Sequence, residues 1–232
     1  MNVGQREYWF LDSVVEFELP LGLLTSPVLE ETLNRKGPGL DYAGIVETLL
    51  YLFEAGYLFA QRMSNFLSRQ RTIRDSTTGA PIPRRPLGKP FTPTREELEA
   101  SLRHKAPMDY GLTAQGGAKW ETMSQPNWER YTEFSYGDLY QQTSERAVEV
   151  LAMDKALGEQ YLFFAKKYPD LFVLSSATWN VLNPWEATYW KRLPVGHQLQ
   201  IKCHEYPSVL YQDEAFNTWY DSIKSWYTNP YA

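Results

Sequence analysis

A proline-rich basic stretch is the feature that most constrains how this chain can fold. Residues 68–94 contain few hydrophobic side chains and five prolines, Pro81, Pro83, Pro86, Pro90 and Pro93. Proline fixes its own φ and lacks the N–H group that helices and strands need, so regular elements are interrupted there. The sequence therefore predicts a long loop inside the N-terminal half, with a strand before it and a helix after it.

The same stretch is basic, whereas the rest of the chain is acidic. Residues 69–95 hold seven basic side chains and one acid, a local net charge of +6. The formal net charge of the whole chain is −5, so the remaining residues together carry −11. This division predicts a basic loop that projects from an acidic body. Three interpretations of the loop stay open: it contacts phosphates, it meets an acidic protein surface, or it is solvated and has no role.

Composition narrows the class of protein. The chain has 232 residues, 43% of them hydrophobic and 22% charged, which is typical of a globular protein with a buried core. A pI near 5.3 is the opposite of what phosphate neutralisation requires of a nucleic-acid-binding protein. The single cysteine, Cys203, excludes an internal disulfide. Because no signal-peptide pattern opens the sequence and no apolar run approaches a membrane span, we expect a cytoplasmic protein.

The spacing of apolar residues, together with residues that start or end helices, predicts the secondary-structure elements of the N-terminal half. Tyr8–Leu19 alternates in the manner of a strand. Ser26-Pro27 has the residue types that start a helix. Asp41 opens a further helix that Gly56 ends, and Tyr57–Ala60 follows as a short strand.

Beyond the loop, Thr94 and Glu97 have the spacing of a capping box, which marks the start of a helix. The pattern then predicts a strand at Met108–Thr113, a short helix with Trp120 and Met123, a helix at Ser144–Tyr168, strands at Leu171–Leu182, Trp185–Leu193 and Gln198–Cys203, and a last helix with Phe216–Tyr227 on one face. This order indicates the α+β class. We expect two regions, residues 1–125 with the basic insert 68–94, and an aromatic-rich α+β region at residues 126–232.

Two segments of the first region resemble a known family. Residues Gly39–Leu58 look like the third helix of a winged-helix domain turning into its first wing strand. Residues Tyr110–Gly117 contain the pattern Tyr-x-Leu-Thr-x-x-Gly and resemble the second wing strand and the helix start that follows it in bacterial winged helices. The resemblance implies a winged-helix-like N-terminal half in which the long basic insert occupies the position of the wing.

The chain departs from this family at the helix that would read DNA. In DNA-binding members the third helix carries Lys, Arg, Asn or Gln to base edges. The corresponding segment here, Asp41–Ala55, contains none of these four residue types, and its charged residues are Asp41, Glu47 and Glu54. Phosphates repel carboxylates, so this departure argues against DNA reading by the helix. In overall character the acidic chain also resembles some immunity proteins, which neutralise toxins from neighbouring cells.

Residues able to catalyse a reaction or to bind a metal do not converge along the sequence. Strand alternation places Cys203 and Glu205 on one face and His204 on the other, so these residues and His197 do not form a ligand set from one strand. Cys203 lies in an apolar alternating strand and is typical of a buried small hydrophobe. The sequence has no nucleophile elbow and no glycine-rich phosphate loop. We therefore expect no enzymatic activity, no metal and no cofactor.

These observations favour a protein-binding module, most concretely an immunity-type protein that sequesters a bacterial toxin with a basic surface. The residues predicted to bind this partner are aromatic residues of the second region and two arginines of the insert: Trp185, Tyr189, Trp190, Trp219, Trp226, Arg84 and Arg85. Each aromatic residue has an alternative role in the core. The alternative function is a winged-helix transcriptional regulator whose insert binds nucleic-acid phosphates through Arg69, Arg71, Arg74, Arg84 and Arg85.

Overall fold

The computed structural model describes residues 3–64, 86–138 and 146–231, and these residues form two compact units. Unit 1 runs to Met123 and also includes Thr188–Trp190 and Tyr231. Unit 2 comprises Ser124–Ala187 and Lys191–Pro230. Both units combine helices with antiparallel strands, so the predicted α+β class is confirmed.

The described part of unit 1 contains five α-helices and a three-stranded sheet. In chain order its elements are α1 (Val3–Asp12), β1 (Leu19–Pro20), α2 (Leu29–Leu33), α3 (Tyr42–Glu54), β2 (Leu58–Arg62), α4 (Arg95–Leu102), β3 (Met108–Leu112) and α5 (Ala114–Ser124). The strands lie in the order β1-β3-β2 and both pairs are antiparallel. Strand β3 is therefore central, with Leu19 of β1 opposite Tyr110 and Leu58 of β2 opposite Leu112.

The N-terminal segment is a helix, so the strand predicted at Tyr8–Leu19 is wrong. Helix α1 buries four consecutive side chains, Tyr8, Trp9, Phe10 and Leu11. Because all sides of this turn face the core, the helix lacks the one-sided apolar stripe that identifies most surface helices. Of the predicted strand, only Leu19 has strand pairing, as the first residue of β1.

Helix α3 begins and ends at the residues that the sequence predicts. The Asp41 carboxylate accepts the backbone N–H of Gly44 at 2.8 Å and caps the helix. Gly56 has a φ of 72°, a left-handed conformation that glycine adopts without a steric penalty. The chain then enters β2, which confirms the short strand predicted there. One face of α3 is buried through Ile45, Val46, Leu49, Leu52 and Phe53.

The last residues of the proline-rich stretch lie against β2. Ala60 and Phe91 exchange two backbone hydrogen bonds of 2.9 Å, and the Leu87 N–H donates to the Arg62 carbonyl at 2.7 Å. The Arg62 guanidinium lies 4.3 Å from the centroid of the Phe91 ring. Residues 86–91 therefore pair with the edge of the sheet, in contrast to the projecting loop that the sequence predicts for the whole of 68–94.

A buried carboxylate joins three segments of unit 1. Asp12, the last residue of α1, accepts hydrogen bonds from the Tyr8 hydroxyl at 3.1 Å, the Trp120 indole N–H at 2.9 Å and the Arg35 guanidinium at 2.8 Å. The Asp12 side chain is 3% exposed, and that of Arg35 is 27% exposed. The Arg35 guanidinium also lies 5.1 Å from the Trp9 ring centroid. This network connects α1, α5 and the segment that follows α2.

Unit 2 is built around a four-stranded antiparallel sheet. Its elements are β4 (Thr132–Asp138), β5 (Arg146–Ala152), α6 (Lys155–Ala165), β6 (Thr178–Leu182), β7 (Trp185–Glu186), β8 (Arg192–Leu193), β9 (Gly196–Cys203) and α7 (Glu214–Lys224). The strand order is β4-β5-β9-β6, while β7 and β8 form a separate two-stranded sheet. Helix α6 packs against β5 and β9, and the core includes Val148, Val150, Tyr161, Phe164, Leu199, Ile201 and Phe216.

The helix predicted at Ser144–Tyr168 is wrong in its first half. Residues Arg146–Ala152 form β5, which pairs with β4 on one side and β9 on the other. Helix α6 starts only after Asp154, whose carboxylate accepts the Ala156 N–H at 2.9 Å. The spacing of Ala147 and Val150 fits a helix, but Val148 and Val150 also fit the alternation of a strand. The segment forms a strand because it pairs with a neighbouring strand on each side.

The other predicted elements of unit 2 are partly confirmed. Of the strand predicted at Leu171–Leu182, only Thr178–Leu182 is a strand, whereas Gln198–Cys203 lies within β9. The final helix contains Phe216, Trp219, Tyr220 and Ile223 but ends at Lys224, before Trp226. In the part of the chain that the structure describes, no helix has both the length and the apolar character needed to cross a membrane.

The role of Asp12 can be tested by replacing it with alanine. Asp12→Ala leaves three donors of unit 1 without their acceptor, one of them the indole of the fully buried Trp120. We expect a loss of about 3–5 kcal/mol in the free energy of unfolding, measured by urea denaturation with far-UV circular dichroism. Asp41→Ala removes an exposed helix cap and is the control, with an expected loss of about 1 kcal/mol. Equal losses in the two variants would contradict the role given to Asp12.

The capping box at the start of α4 predicts a pH dependence. The Thr94 N–H donates to the Glu97 carboxylate at 3.0 Å, and the Glu97 N–H donates to the Thr94 hydroxyl at 3.2 Å. The Thr94 hydrogen bond and then the nearby charge of Arg62 lower the pKa of Glu97 below its usual 4.5, despite partial desolvation. Ionised Glu97 therefore stabilises the fold fully above pH 4.5, and this contribution is lost as the pH falls through the lowered pKa.

Glu97→Gln tests this dependence, because glutamine keeps the reciprocal hydrogen bonds without the charge. We expect the variant to melt at a lower temperature than the parent chain near neutral pH. The difference should disappear in acid, where Glu97 of the parent chain is protonated. A difference that stays constant across this pH range would exclude the charge of Glu97 as its cause.

Candidate protein-binding site

The five aromatic residues predicted as anchors lie in three separate places. Trp185 and Trp226 are buried in unit 2 and both pack against Tyr131, with ring centroids 5.9 and 4.7 Å from its ring. Trp219 lies on α7, where it packs 5.6 Å from both Phe164 and Phe216. Because Trp185 is 2% and Trp226 5% exposed, we do not place these two on a binding surface.

Tyr189 and Trp190 belong to unit 1, although they follow β7 of unit 2 in the sequence. The Tyr189 hydroxyl donates to the Val14 carbonyl and accepts the Leu112 N–H, both at 2.6 Å. The Trp190 indole N–H donates to the Val15 carbonyl at 2.8 Å. We call residues Thr188–Trp190 the strap. Its hydroxyl and indole groups form hydrogen bonds with backbone groups of unit 1. Tyr189 and Trp190 therefore stabilise the fold of that unit.

Two glycines of unit 1 provide the space that the strap fills. A Cβ atom at Gly117 would lie 2.1 Å from the Trp190 ring, and one at Gly111 would lie 3.0 Å from the Tyr189 ring. The Trp190 ring also meets Trp120 edge to face, with centroids 6.3 Å apart. Burial of its ring and hydroxyl raises the pKa of Tyr189, although 39% of the residue remains exposed. The strap is thus a packed part of unit 1.

The two predicted arginines, Arg84 and Arg85, lie outside the described residues, as do Arg69, Arg71 and Arg74. Their proposed contacts with a partner or with phosphates stay predictions. The described basic residues nearest to them in sequence are Arg62, at the end of β2, and Lys89, within the segment 86–91 that lies against β2.

The exposed side of α3 is the most distinctive surface of unit 1. Its four exposed residues recur at intervals of three or four and so share one side of the helix; they are Ala43, Glu47, Tyr51 and Glu54, which we call the α3 face. Two of the four side chains are carboxylates, and none is basic. Tyr51 is 48% exposed, in contrast to the aromatic Phe53 on the opposite, buried side.

Each carboxylate of the α3 face has a different environment. Glu47 forms an ion pair with Arg95 of α4 at 2.7 Å, and both side chains remain at least half exposed. An exposed pair of this kind contributes little to stability, about 0–1 kcal/mol, so its partners can exchange for charges on another molecule. Glu54 is exposed and forms no ion pair with a residue in ranges 3–64, 86–138 or 146–231. The face therefore presents negative charge to solvent.

A partly buried lysine lies close to the α3 face. The Lys119 ammonium is 3.2 Å from the Glu7 carboxylate and 4.7 Å from the centroid of the Tyr57 ring. Burial alone would lower the pKa of Lys119, but the hydrogen bond and charge of Glu7, with smaller effects from Tyr57 and Tyr51, raise it. This lysine is thus compensated within unit 1 and does not cancel the negative charge of Glu54.

The exposure of Tyr51 could have been predicted from residue spacing. From the sequence, Glu47 and Glu54 are identified as charges that oppose DNA binding, but Tyr51 is not among the predicted binding residues. The interval of four residues from Glu47 to Tyr51 and three from Tyr51 to Glu54 places the tyrosine between the two acids, opposite Leu49 and Phe53. An aromatic residue at such a polar position is typical of an interaction surface.

The described residues contain no group of three or more histidine, cysteine or acidic side chains that could hold a metal ion. Cys203 is buried at the end of β9, and desolvation raises the pKa of its thiol despite the opposing effect of Arg146. A raised pKa favours the unreactive thiol over the thiolate. His204 and Glu205 follow the strand and are exposed.

No protein-family model, curated protein or solved structure matches the chain.

Proposed function

We propose that this chain is a non-enzymatic protein-binding module, most concretely an immunity-type protein that sequesters and neutralises a bacterial toxin. The observation that carries the proposal is the exposed α3 face, where Tyr51 lies between the carboxylates of Glu47 and Glu54. A basic protein surface, such as that of a toxin that acts on nucleic acid, is the complementary partner. This role fits a chain with a formal net charge of −5 in the reducing cytoplasm.

The proposal includes a winged-helix-like architecture for unit 1. Supporting it, the order of elements is helix, strand, two helices, and then strands β2 and β3 as an antiparallel pair with β1 on the other side of β3. In this arrangement α3 stands at the position that enters the major groove in DNA-binding winged helices. In the sequence the insert and α4 come between β2 and β3, where a winged helix has its wing.

Electrostatics favours a basic protein over DNA at the α3 face. A carboxylate about 4 Å from a phosphate is repelled by about 1 kcal/mol even in bulk water. Two such contacts, from Glu47 and Glu54, would weaken binding by roughly 30-fold, because 1.4 kcal/mol corresponds to a factor of ten. The same two side chains attract lysine and arginine, and their attraction increases the rate of association.

Tyr51 supplies the apolar part of the proposed contact. Tyrosine buries a large area when a partner covers it, and only two side-chain torsions lose their freedom. Residues of this type dominate the energy of many protein interfaces, particularly when polar residues surround them. We therefore expect Tyr51 to be the anchor of the interface and the two glutamates to select a basic partner.

The proposal is tested by reversing the charge of the α3 face. A tagged parent chain, expressed in its cells of origin, should capture a basic protein that mass spectrometry identifies and that high salt releases. Glu47→Lys with Glu54→Lys should lower the amount captured at least about tenfold. The matched control is Glu129→Lys with Glu205→Lys, which changes the net charge equally at exposed loop positions. Circular dichroism confirms that all variants are folded.

Neutralisation is then measured in growing cells. The captured protein should arrest growth when expressed alone, and co-expression of the parent chain or the control variant should restore growth. The variant with Glu47→Lys and Glu54→Lys should fail to restore it. Capture that is equal for all three chains, or a captured protein that is harmless on its own, would contradict the proposal.

The competing nucleic-acid hypothesis predicts a different salt dependence. We expect the parent chain to leave a heparin column at low salt and to give no mobility shift with random-sequence duplex DNA at physiological salt, since phosphate binding releases counterions only where basic residues face the DNA. Retention that falls steeply with salt, and that Arg84→Glu with Arg85→Glu abolishes, would instead identify the chain as a nucleic-acid-binding regulator.

A further inference from the structure

Strand β6 forms one edge of the four-stranded sheet of unit 2. In the sheet order β4-β5-β9-β6 it has a single neighbour, β9, with Trp179 opposite Leu199 and Val181 opposite His197. An edge strand presents unpaired backbone N–H and C=O groups along its outer side. Among the described residues no second strand pairs with β6, so this side can accept a further strand.

The residues of β6 lack the features that normally protect an edge strand. Protected edges carry charges, a proline within the strand or a bulge. The sequence of β6 is Thr-Trp-Asn-Val-Leu, without charge or proline, and its five residues pair with β9 in continuous register. Val181 is 65% exposed, more than any other large hydrophobic residue in the described part of the chain. An apolar β-branched residue at an unprotected edge favours pairing with a further strand.

We propose that β6 is a homodimerisation strand that pairs antiparallel with β6 of a second copy of this chain. Pairing about a twofold axis at Asn180 places Asn180 opposite itself, Trp179 opposite Val181 and Thr178 opposite Leu182. The two sheets then form one continuous sheet of eight strands. A closed twofold contact of this kind is the commonest form of association in soluble proteins.

The side chains of β6 are complementary to themselves in this register. Trp179 and Val181 share the face of the sheet that α6 covers, since the Trp179 ring lies 2.7 Å from a Cβ atom placed on Gly158 of that helix. Each exposed Val181 would thus pack beside a tryptophan of the other copy, and pairs of aromatic and β-branched residues stabilise antiparallel strands. On the other face two Asn180 side chains would meet, and each is already oriented by donating to Gln198 at 2.9 Å.

Charge does not oppose the contact. A lysine next to the strand is Lys155, whose ammonium lies 5.0 Å from the Trp179 ring centroid and 2.8 Å from the Glu159 carboxylate. In each copy the positive charge of Lys155 is therefore balanced by the carboxylate of Glu159. Permanent dimers bury at least about 2,000 Å², and the pairing of two five-residue strands buries less than this. We therefore expect a weak dimer whose population depends on the protein concentration. The inference concerns unit 2 alone and does not depend on the proposed function of the α3 face.

Cysteine crosslinking tests the register of the pairing. In the Asn180→Cys variant the two introduced residues face each other with Cβ atoms about 4.5–5.5 Å apart, so mild oxidation should give a disulfide-linked dimer. In the Thr178→Cys variant the two cysteines would be about 13 Å apart, four residues along the strand, and no dimer should form. The parent chain controls for Cys203, which is buried. Crosslinking that is equal in both variants, or absent from both, would overturn the register.

Sedimentation velocity tests the association itself. The parent chain should shift from monomer to dimer between about 10 µM and about 1 mM, the range of weak interfaces. Val181→Lys places a charge on the edge beside the twofold axis and should raise the dissociation constant at least about tenfold. Val28→Lys is the matched control, because Val28 is an exposed valine of unit 1, and it should leave dimerisation unchanged. A parent chain that stays monomeric, or equal effects of the two lysines, would overturn the proposal and leave the edge to a strand of another protein.

Discussion

The hydrogen bonds of the buried Asp12 carboxylate are the interaction on which unit 1 depends. A carboxylate removed from water costs several kcal/mol unless donors replace its hydration, and here Tyr8, Arg35 and Trp120 supply them. The donors come from three segments, so α1, α5 and the chain after α2 must all be in position together. Helix α1 packs on α3, and this fixed support leaves the outer side of α3 free to carry side chains that folding does not require.

Local signals account for the elements that the sequence predicts correctly. Asp41 caps α3 and Gly56 ends it because each effect acts within one turn of the chain. Thr94 and Glu97 form both hydrogen bonds of the predicted capping box. The charges of the α3 face, Glu47 and Glu54, are also evident from the sequence, since a helix with known ends fixes the side on which each residue lies.

Tertiary pairing accounts for the elements that the sequence predicts wrongly. Helix α1 is buried on all sides and so shows no stripe, and β5 is a strand because β4 and β9 pair with it. Neither effect can be read within a short window of sequence. The same reason applies to the candidate site. The buried positions of Trp185 and Trp226 depend on contacts with Tyr131, more than fifty residues away from either in the chain.

The strap limits which fragments of the protein can fold on their own. Within the described residues the polypeptide passes between the two units four times, after Met123, Ala187, Trp190 and Pro230, so no single cut yields two complete units. A fragment that stops at Met123 keeps Gly117 but loses the indole that occupies the space beside it. Removing such a ring costs about 3–5 kcal/mol, a large share of the roughly 5–15 kcal/mol that keeps a natural domain folded. Truncation libraries should therefore recover few soluble N-terminal fragments, and a peptide carrying Thr188–Trp190 should rescue them when added in trans.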